Sequence, residues 1–186
     1  MSNINERLDK LRKLVQDEDF LEGKGLSNEV NIRIFCYDPA EEMRIKHFVK
    51  QITTDQSITS HIVEFDLYKI FIDICNDLDI LESISETEET DGSDYTLEQI
   101  HSFADVDNFI SKMKEYCEMT SRNVMLITGV GDVFPFMRVH VLLEALQPYF
   151  SETPILVMYP GSFDGKYVKL FDKLTANPYY RAFNVV

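Results

Sequence analysis

The sequence predicts an α/β protein: a three-layer, Rossmann-like sandwich in which a mostly parallel sheet of about five strands carries helices on both faces. Three observations predict it. Two short runs, N-V-M-L-I-T at 123–128 and P-I-L-V-M-Y at 154–159, are almost wholly apolar, as strands covered on both faces are. Segments with apolar residues at helical spacing alternate with these and other β-rich runs, which gives parallel strands joined by helices. The chain of 186 residues is 45% apolar and 27% charged, so it can bury one core, and residues 1–186 read as a single domain.

The elements follow in order. Ile4, Leu8, Leu11, Leu14 and Val15 recur at helical spacing, which predicts a helix over 3–16 with Ser2 or Asn3 as its cap. Gly23 and Gly25 open a loop. Asn31 to Tyr37 alternates and is rich in β-formers, so it reads as a strand stopped at Asp38-Pro39. A helix follows over Ala40–Thr53, with Asp38 placed to cap it. Ser60 to Phe65 reads as a second strand, running into a helix that carries Leu67, Ile70, Phe71, Ile74 and Leu78.

The stretch 85–98 has few apolar residues and contains Asp91-Gly92-Ser93, so it reads as a mobile acidic loop. Val106, Phe109, Ile110, Met113 and Tyr116 mark another amphipathic helix. After the buried strand at 123–128, Gly129-Val130-Gly131-Asp132 makes a turn. Pro135 is placed to open a helix that reaches about Gln147. The run to Tyr159 is expected to break at Pro160-Gly161. Val168, Leu170, Phe171 and Leu174 suggest a short helix, and Tyr180 to Val186 a last strand.

Charge narrows the classes of function. The formal net charge is −14, and 12 acids lie between Lys69 and Lys112 with no Lys or Arg among them, which leaves the rest of the chain near balance. Such a field repels phosphate backbones, so direct nucleic-acid binding is not expected. It reads either as a solvated face or as a docking surface for a basic partner. No run approaches the roughly 20 apolar residues of a membrane span. Met1 to Lys13 is polar and charged, unlike a secretory signal, so a cytoplasmic location is expected. Cys36, Cys75 and Cys117 sit singly among apolar residues and read as buried free thiols.

In an open α/β sheet, ligands bind outside the carboxyl ends of the strands. That edge is predicted to carry Asp38, Asp66, Thr128 to Asp132, and Tyr159 to Gly161. The Gly129-x-Gly131 turn reads as a tight strand-to-helix connection or as an anion cradle. A dinucleotide fingerprint would want glycine at 134, which is Phe134, and no G-x-x-x-x-G-K-[ST] run exists. The histidines at 47, 61, 101 and 140 show no metal-ligand spacing, and Ser162 lacks a G-x-S-x-G elbow. No cofactor or metal is expected. A hydrolase or nuclease would need a dry carboxylate cluster, which the pattern does not offer. On a helix starting at Pro135, Arg138 falls beside Val141, Leu142 and Ala145, where it needs a counter-ion. That is either Asp38, Asp132 or Glu29, or an anion held with Thr128, Gly129, Gly131, Tyr159 and Gly161.

With these segments placed, the chain resembles the BrxB family of BREX phage-defence systems over most of its length. The resemblance is carried by Gly23-Lys24-Gly25-Leu26-Ser27-Asn28-Glu29, Tyr37-Asp38-Pro39 and Asp66-Leu67-Tyr68. It continues through Thr128-Gly129-Val130-Gly131 and Pro135-Phe136-Met137-Arg138-Val139-His140. It closes with Tyr159-Pro160-Gly161-Ser162-Phe163-Asp164-Gly165 and Asn177-Pro178-Tyr179-Tyr180-Arg181-Ala182-Phe183. Where the family often has Asp-Tyr-Asp-Pro, this chain has Cys36-Tyr37-Asp38-Pro39, which argues against a metal held by two carboxylates there. The resemblance implies a non-catalytic component of a multi-protein antiviral system, docking on PglZ or another BREX protein. Glu29, Asp38, Asp66, Asp164, Gly165 and Arg181 are its structural or interaction residues. Self-association is open, and the alternative is a nucleotide- or anion-responsive switch.

Overall fold

The computed structural model describes residues 3–24, 31–116, 123–164 and 167–174, and the main chain of 177–178 and 182–184. Two helices lead the chain, α1 (Ile4–Leu14) and α2 (Glu18–Leu21), followed by β1 (Ile32–Tyr37). Asn3 caps α1 by accepting from the Asn5 N–H. After a 3-10 turn at Pro39–Glu41 come α3 (Glu42–Thr54), β2 (His61–Asp66) and four helices in succession. These are α4 (Leu67–Asp77), α5 (Leu81–Asp91), α6 (Ser93–Phe103) and α7 (Val106–Tyr116). The remainder is β3 (Asn123–Thr128), α8 (Val130–Val133), α9 (Val139–Leu146), β4 (Ile155–Phe163), β5 (Tyr167–Leu170), β6 (Asn177–Pro178) and β7 (Ala182–Asn184).

Five strands form one parallel sheet in the order β2-β3-β4-β1-β7, the Rossmann-like arrangement that the alternation predicts. Side chains alternate across it, because successive residues of a strand point to opposite faces. Ile155, Val157 and Tyr159 of β4 join Ile32 and Ile34 of β1, Met125 and Ile127 of β3, and the apolar sides of α4, α6, α7 and α9. Leu156 and Met158 join Phe35, Val124 and Leu126 on the other face, beneath α1 and α3. Helices leaving β1 and β3 therefore go to opposite faces, and the crevice this opens flanks β4.

Four expectations are corrected. The stretch 85–98 is not a loop: it lies in α5 and α6, which meet at Gly92. Glutamate favours helix as well as solvent, and Thr96 and Ile100, one turn apart, seat α6 on the core. By contrast α5 has no fully buried residue, while α3 buries Ile45, Phe48, Val49 and Ile52 at about 1.5–3 kcal/mol each. So α5 is peripheral. Second, β4 does not break at Pro160-Gly161. Pro160 lies opposite Tyr37, the last residue of β1, and beyond it Gly161 to Phe163 pair antiparallel with Val168 to Leu170. A proline at that junction leaves no ladder position short of a donor.

Third, 167–170 is a strand and not the start of a helix. Val168 and Leu170 are buried, Tyr167 is half-buried and Lys169 is exposed, a two-residue period. The turn after it places Phe171 and Asp172 at positive φ. Fourth, no helix starts at Pro135. The Phe134–Pro135 peptide is cis, the chain turns over 134–136, and α9 begins only at Val139. The last strand is seen at Ala182–Asn184, parallel to β1, the rest of its expected span lying outside the described residues.

The helical reading of the acidic stretch is open to measurement. Glu86→Pro removes an intrahelical bond and clashes with the preceding turn, a cost of about 3 kcal/mol inside a helix and little in a loop. Far-UV circular dichroism of the variant should lose the signal of α5, 11 residues long, while the urea midpoint of the core hardly moves.

Candidate functional site

The carboxyl edge of the sheet is built from caps. Asp38 ends β1 and its Oδ1 accepts from the Ala40 N–H at 2.9 Å. Asp66 ends β2 and its Oδ1 accepts from the Tyr68 and Lys69 N–H groups at 3.0 and 3.3 Å, closing the start of α4. Thr128, opposite Asp66 on β3, donates to Glu64 Oε1 at 2.8 Å. Gly129 then takes the left-handed conformation, φ +68°, and caps α8. A Cβ there would strike Asp66 Oδ1 and lie 3.2 Å from the Leu67 and Tyr68 nitrogens. Gly131 has a different reason: a Cβ would meet the Phe171 ring at 2.8 Å.

Two hollows open at this edge, one on each side of β4. Under α3 lies one of about 340 Å³, lined by Tyr37, Lys46, Asp66, Thr128, Gly129 and Met158 among others. Most of its charges are partnered, Lys50 being without a carboxylate among the described residues. Lys46 Nζ reaches Asp132 at 2.8 Å and Glu42 at 3.6 Å, and the Asp132 hydrogen bond raises its pKa. The Tyr37 hydroxyl donates to Glu42 Oε2 at 2.7 Å, and burial followed by that bond pushes its pKa up. The other hollow, about 370 Å³, lies between α8, α9 and β5 and is lined by Arg138, His140, Tyr159 and apolar side chains. Met158 and Tyr159 are neighbours in sequence, so they point to opposite faces and serve different hollows.

The candidate residues therefore divide. Thr128, Gly129 and Asp66 line the hollow under α3, and Arg138 and Tyr159 line the other. Gly131 packs between them against Phe171 and Pro160, and Gly161 pairs with Leu170. Asp164 closes the β4–β5 turn, its Oδ1 accepting from the Tyr167 N–H at 2.7 Å. Glu29, Gly165 and Arg181 lie outside the described residues.

Arg138 is a correction. It is exposed at the N-cap of α9, not set on its apolar face, because the helix starts four residues later than proline suggested; it needs no buried counter-ion. Neither Asp38 nor Asp132 pairs with it, since Asp132 binds Lys46. His140, the second residue of α9, is half-buried and lines the hollow. No three His, Cys, Asp or Glu residues among those described are grouped to hold a metal. No helix among them is long and apolar enough to cross a membrane.

Cys36 and Cys75 are buried free thiols, and burial pushes them up to about 12 and about 11. Cys117 lies outside the described residues. In the folded protein at pH 8, both stay protonated, so iodoacetamide should modify them only on unfolding, as site-resolved mass spectrometry would read. The sign for stability follows: the unfolded thiol ionises first as pH rises past about 8.5, so these groups weaken the fold above that pH. A second measurement addresses the caps. Gly129→Ala should cost about 1–2 kcal/mol for its left-handed backbone and more for the Asp66 contact. Asp66→Ala should cost about 1 kcal/mol. The double variant should lose less than the sum in urea denaturation, because removing the carboxylate makes room for the new methyl.

Comparison with known proteins gives one family. The model described as BREX protein BrxB matches residues 63–185. A protein of Bacillus cereus (strain H3081.97) named BREX protein BrxB is 32% identical over 192 aligned positions, covering 100% of this chain and 99% of its own. One of the same name from Escherichia coli O9:H4 (strain HS) is 24% identical over 180, covering 97% and 90%. No solved structure matches significantly.

Proposed function

This chain belongs to the BrxB family of BREX proteins, and from that premise we propose that it is a non-catalytic, protein-binding component of a bacteriophage-exclusion complex, an adaptor for PglZ. The observation that carries the reading is the acidic helical hairpin. On α5 and α6 the seven carboxylates are Glu82, Glu86, Glu88, Glu89, Asp91, Asp94 and Glu98, and none makes an ion pair among the described residues. Some acids elsewhere are paired, Asp77 with Lys112, Asp55 with Arg12 and Asp132 with Lys46, but no other part of the chain gathers so many without an ion pair among the described residues.

The hairpin also offers a shape. A groove of about 400 Å³ runs between the two helices, lined by Ile84, Thr87, Tyr95, Gln99 and Phe103, with Tyr95 47% exposed. An exposed aromatic ring in a groove that has Asp91 in its lining, on a hairpin whose seven carboxylates make no ion pair among the described residues, suits a basic segment of a partner, with the ring as anchor and the charge setting rate and register. The reading takes the protein to act in the cytoplasm beside the other members of its system. It does not call for direct contact with nucleic acid.

Co-expression with the PglZ of the same system tests this. A complex should survive purification at about 0.15 M salt, where the screening length is about 8 Å, and weaken as salt shortens that length. Combined Glu88→Lys, Asp91→Lys and Glu98→Lys, in and beside the groove, should weaken it at least about tenfold, mostly through slower association. Absence of any complex with PglZ would remove the adaptor reading. A complex indifferent to the triple variant would move the docking face away from the hairpin.

A further inference from the structure

The hollow beside Tyr159 gathers polar groups that have nothing to bind. Helix α9 begins with Arg138 at its N-cap and no side chain capping it. Its first main-chain bonds run from the Val141 and Leu142 N–H groups to the Arg138 carbonyl, at 3.1 and 3.3 Å. Among the described residues, the Val139 and His140 N–H groups have no acceptor, and the Arg138 guanidinium has no carboxylate. Tyr159 lines the same hollow from the sheet side. It is 3% exposed, and its hydroxyl has no hydrogen-bond partner among the described residues. The side chain is buried while its hydroxyl oxygen opens onto the hollow, where a water or a ligand can meet it.

The geometry separates charge from grease. Free helix N-terminal amides and a guanidinium both favour an anion, and here they stand together at the start of α9. The remaining walls are Val130, Phe134, Met137, Val139, Leu170 and Leu174, which favour an apolar body. Burial, then Arg138, hold the His140 imidazole below its usual range, against the opposing pull of Glu144 one turn along α9. At about 370 Å³ the space falls at the small end of ligand sites.

We infer that this hollow is a binding site for a small aryl anion: a phosphate, sulfonate or carboxylate carried on an apolar ring. The anionic group sits at the α9 N-terminus against Arg138 and the free amides. The ring enters among Val130, Phe134 and Leu174, and Tyr159 donates its hydroxyl to the anionic group or to a polar atom on the ring. The inference is independent of the adaptor reading, since it concerns a site bounded by α8, α9 and β5, and the groove lies between α5 and α6.

Calorimetric titration of the whole protein with phenyl phosphate tests it, with inorganic phosphate and benzyl alcohol as the head alone and the ring alone. Phenyl phosphate should saturate one site and bind at least about tenfold more tightly than either half, because charge and ring each contribute. Arg138→Gln, an exposed change that leaves the core intact, should weaken it about tenfold. Tyr159→Phe keeps the shape of the wall and should weaken it about two- to tenfold. No saturable heat up to about 10 mM phenyl phosphate overturns the inference. So does binding that Arg138→Gln leaves unchanged, or inorganic phosphate binding as tightly as phenyl phosphate.

Discussion

The middle strand of the sheet governs the rest. β4 pairs with β1 on one side and β3 on the other, so from Ile155 to Tyr159 it must hide every side chain, odd residues under one helical layer and even residues under the other. A slip of one residue would exchange the two sets, and the layers differ enough in shape to forbid it. The strand then outlives its partner. β1 stops at Tyr37, opposite Pro160, and β4 continues into the small antiparallel sheet with β5. That continuation builds the wall of Leu170 and Leu174 and so makes a hollow where a shorter strand would leave an open edge. The same alternation keeps the two hollows at the carboxyl edge apart.

The legible parts of the sequence were those where one physical demand dominates. An apolar run such as Val124 to Ile127 has no stable place except a strand covered on both sides, and α3, α4 and α7 each show a single apolar stripe. Caps were legible for a like reason, since Asp38 and Asp66 precede helices with their carboxylates free to accept main-chain hydrogens. The misread parts have two compatible demands. Glutamate-rich residues 85–98 satisfy solvent and helix equally, and only Thr96 and Ile100 argue for packing. Val168, Leu170, Phe171 and Leu174 fit a period of two as far as Leu170 and a helical spacing afterwards. Arg138 was misplaced because proline at 135 fits a helix start, and a residue that lies outside the helix does not follow its spacing. The approach of Arg138 to Tyr159 depends on the path of the chain between 134 and 138, which no local pattern reports.

Carboxylates without an ion pair are densest on α5 and α6, whereas at the carboxyl edge under α3 the acids are tied to lysine, tyrosine, threonine or main-chain hydrogens. The one cation without a carboxylate at the other hollow is Arg138, among the described residues there. An acidic surface and an anion-favouring pocket on one small protein would weaken each other if they were adjacent, because attraction of an anion falls with every nearby negative charge. Separation on different elements preserves both.

The two regions still meet at one loop. His101 of α6 bonds the Pro135 carbonyl through Nε2 at 3.0 Å, and since a carbonyl only accepts, that nitrogen carries the proton. Phe134 and Met137, on either side of Pro135, line the hollow, and Phe136 stacks on Phe71 of α4 with ring centroids 4.5 Å apart. The loop is thus held by α4 from below and by the acidic hairpin from the side. α6 has few other anchors, Thr96 and Ile100 being its buried residues, so a shift of the hairpin has this hydrogen bond as its direct route to the walls of the hollow. A partner seated on α5 and α6 and an anion seated at α9 would both act on residues 134–138. Any dependence of one binding event on that loop's position is then owed equally by the other, since coupling between two sites is reciprocal.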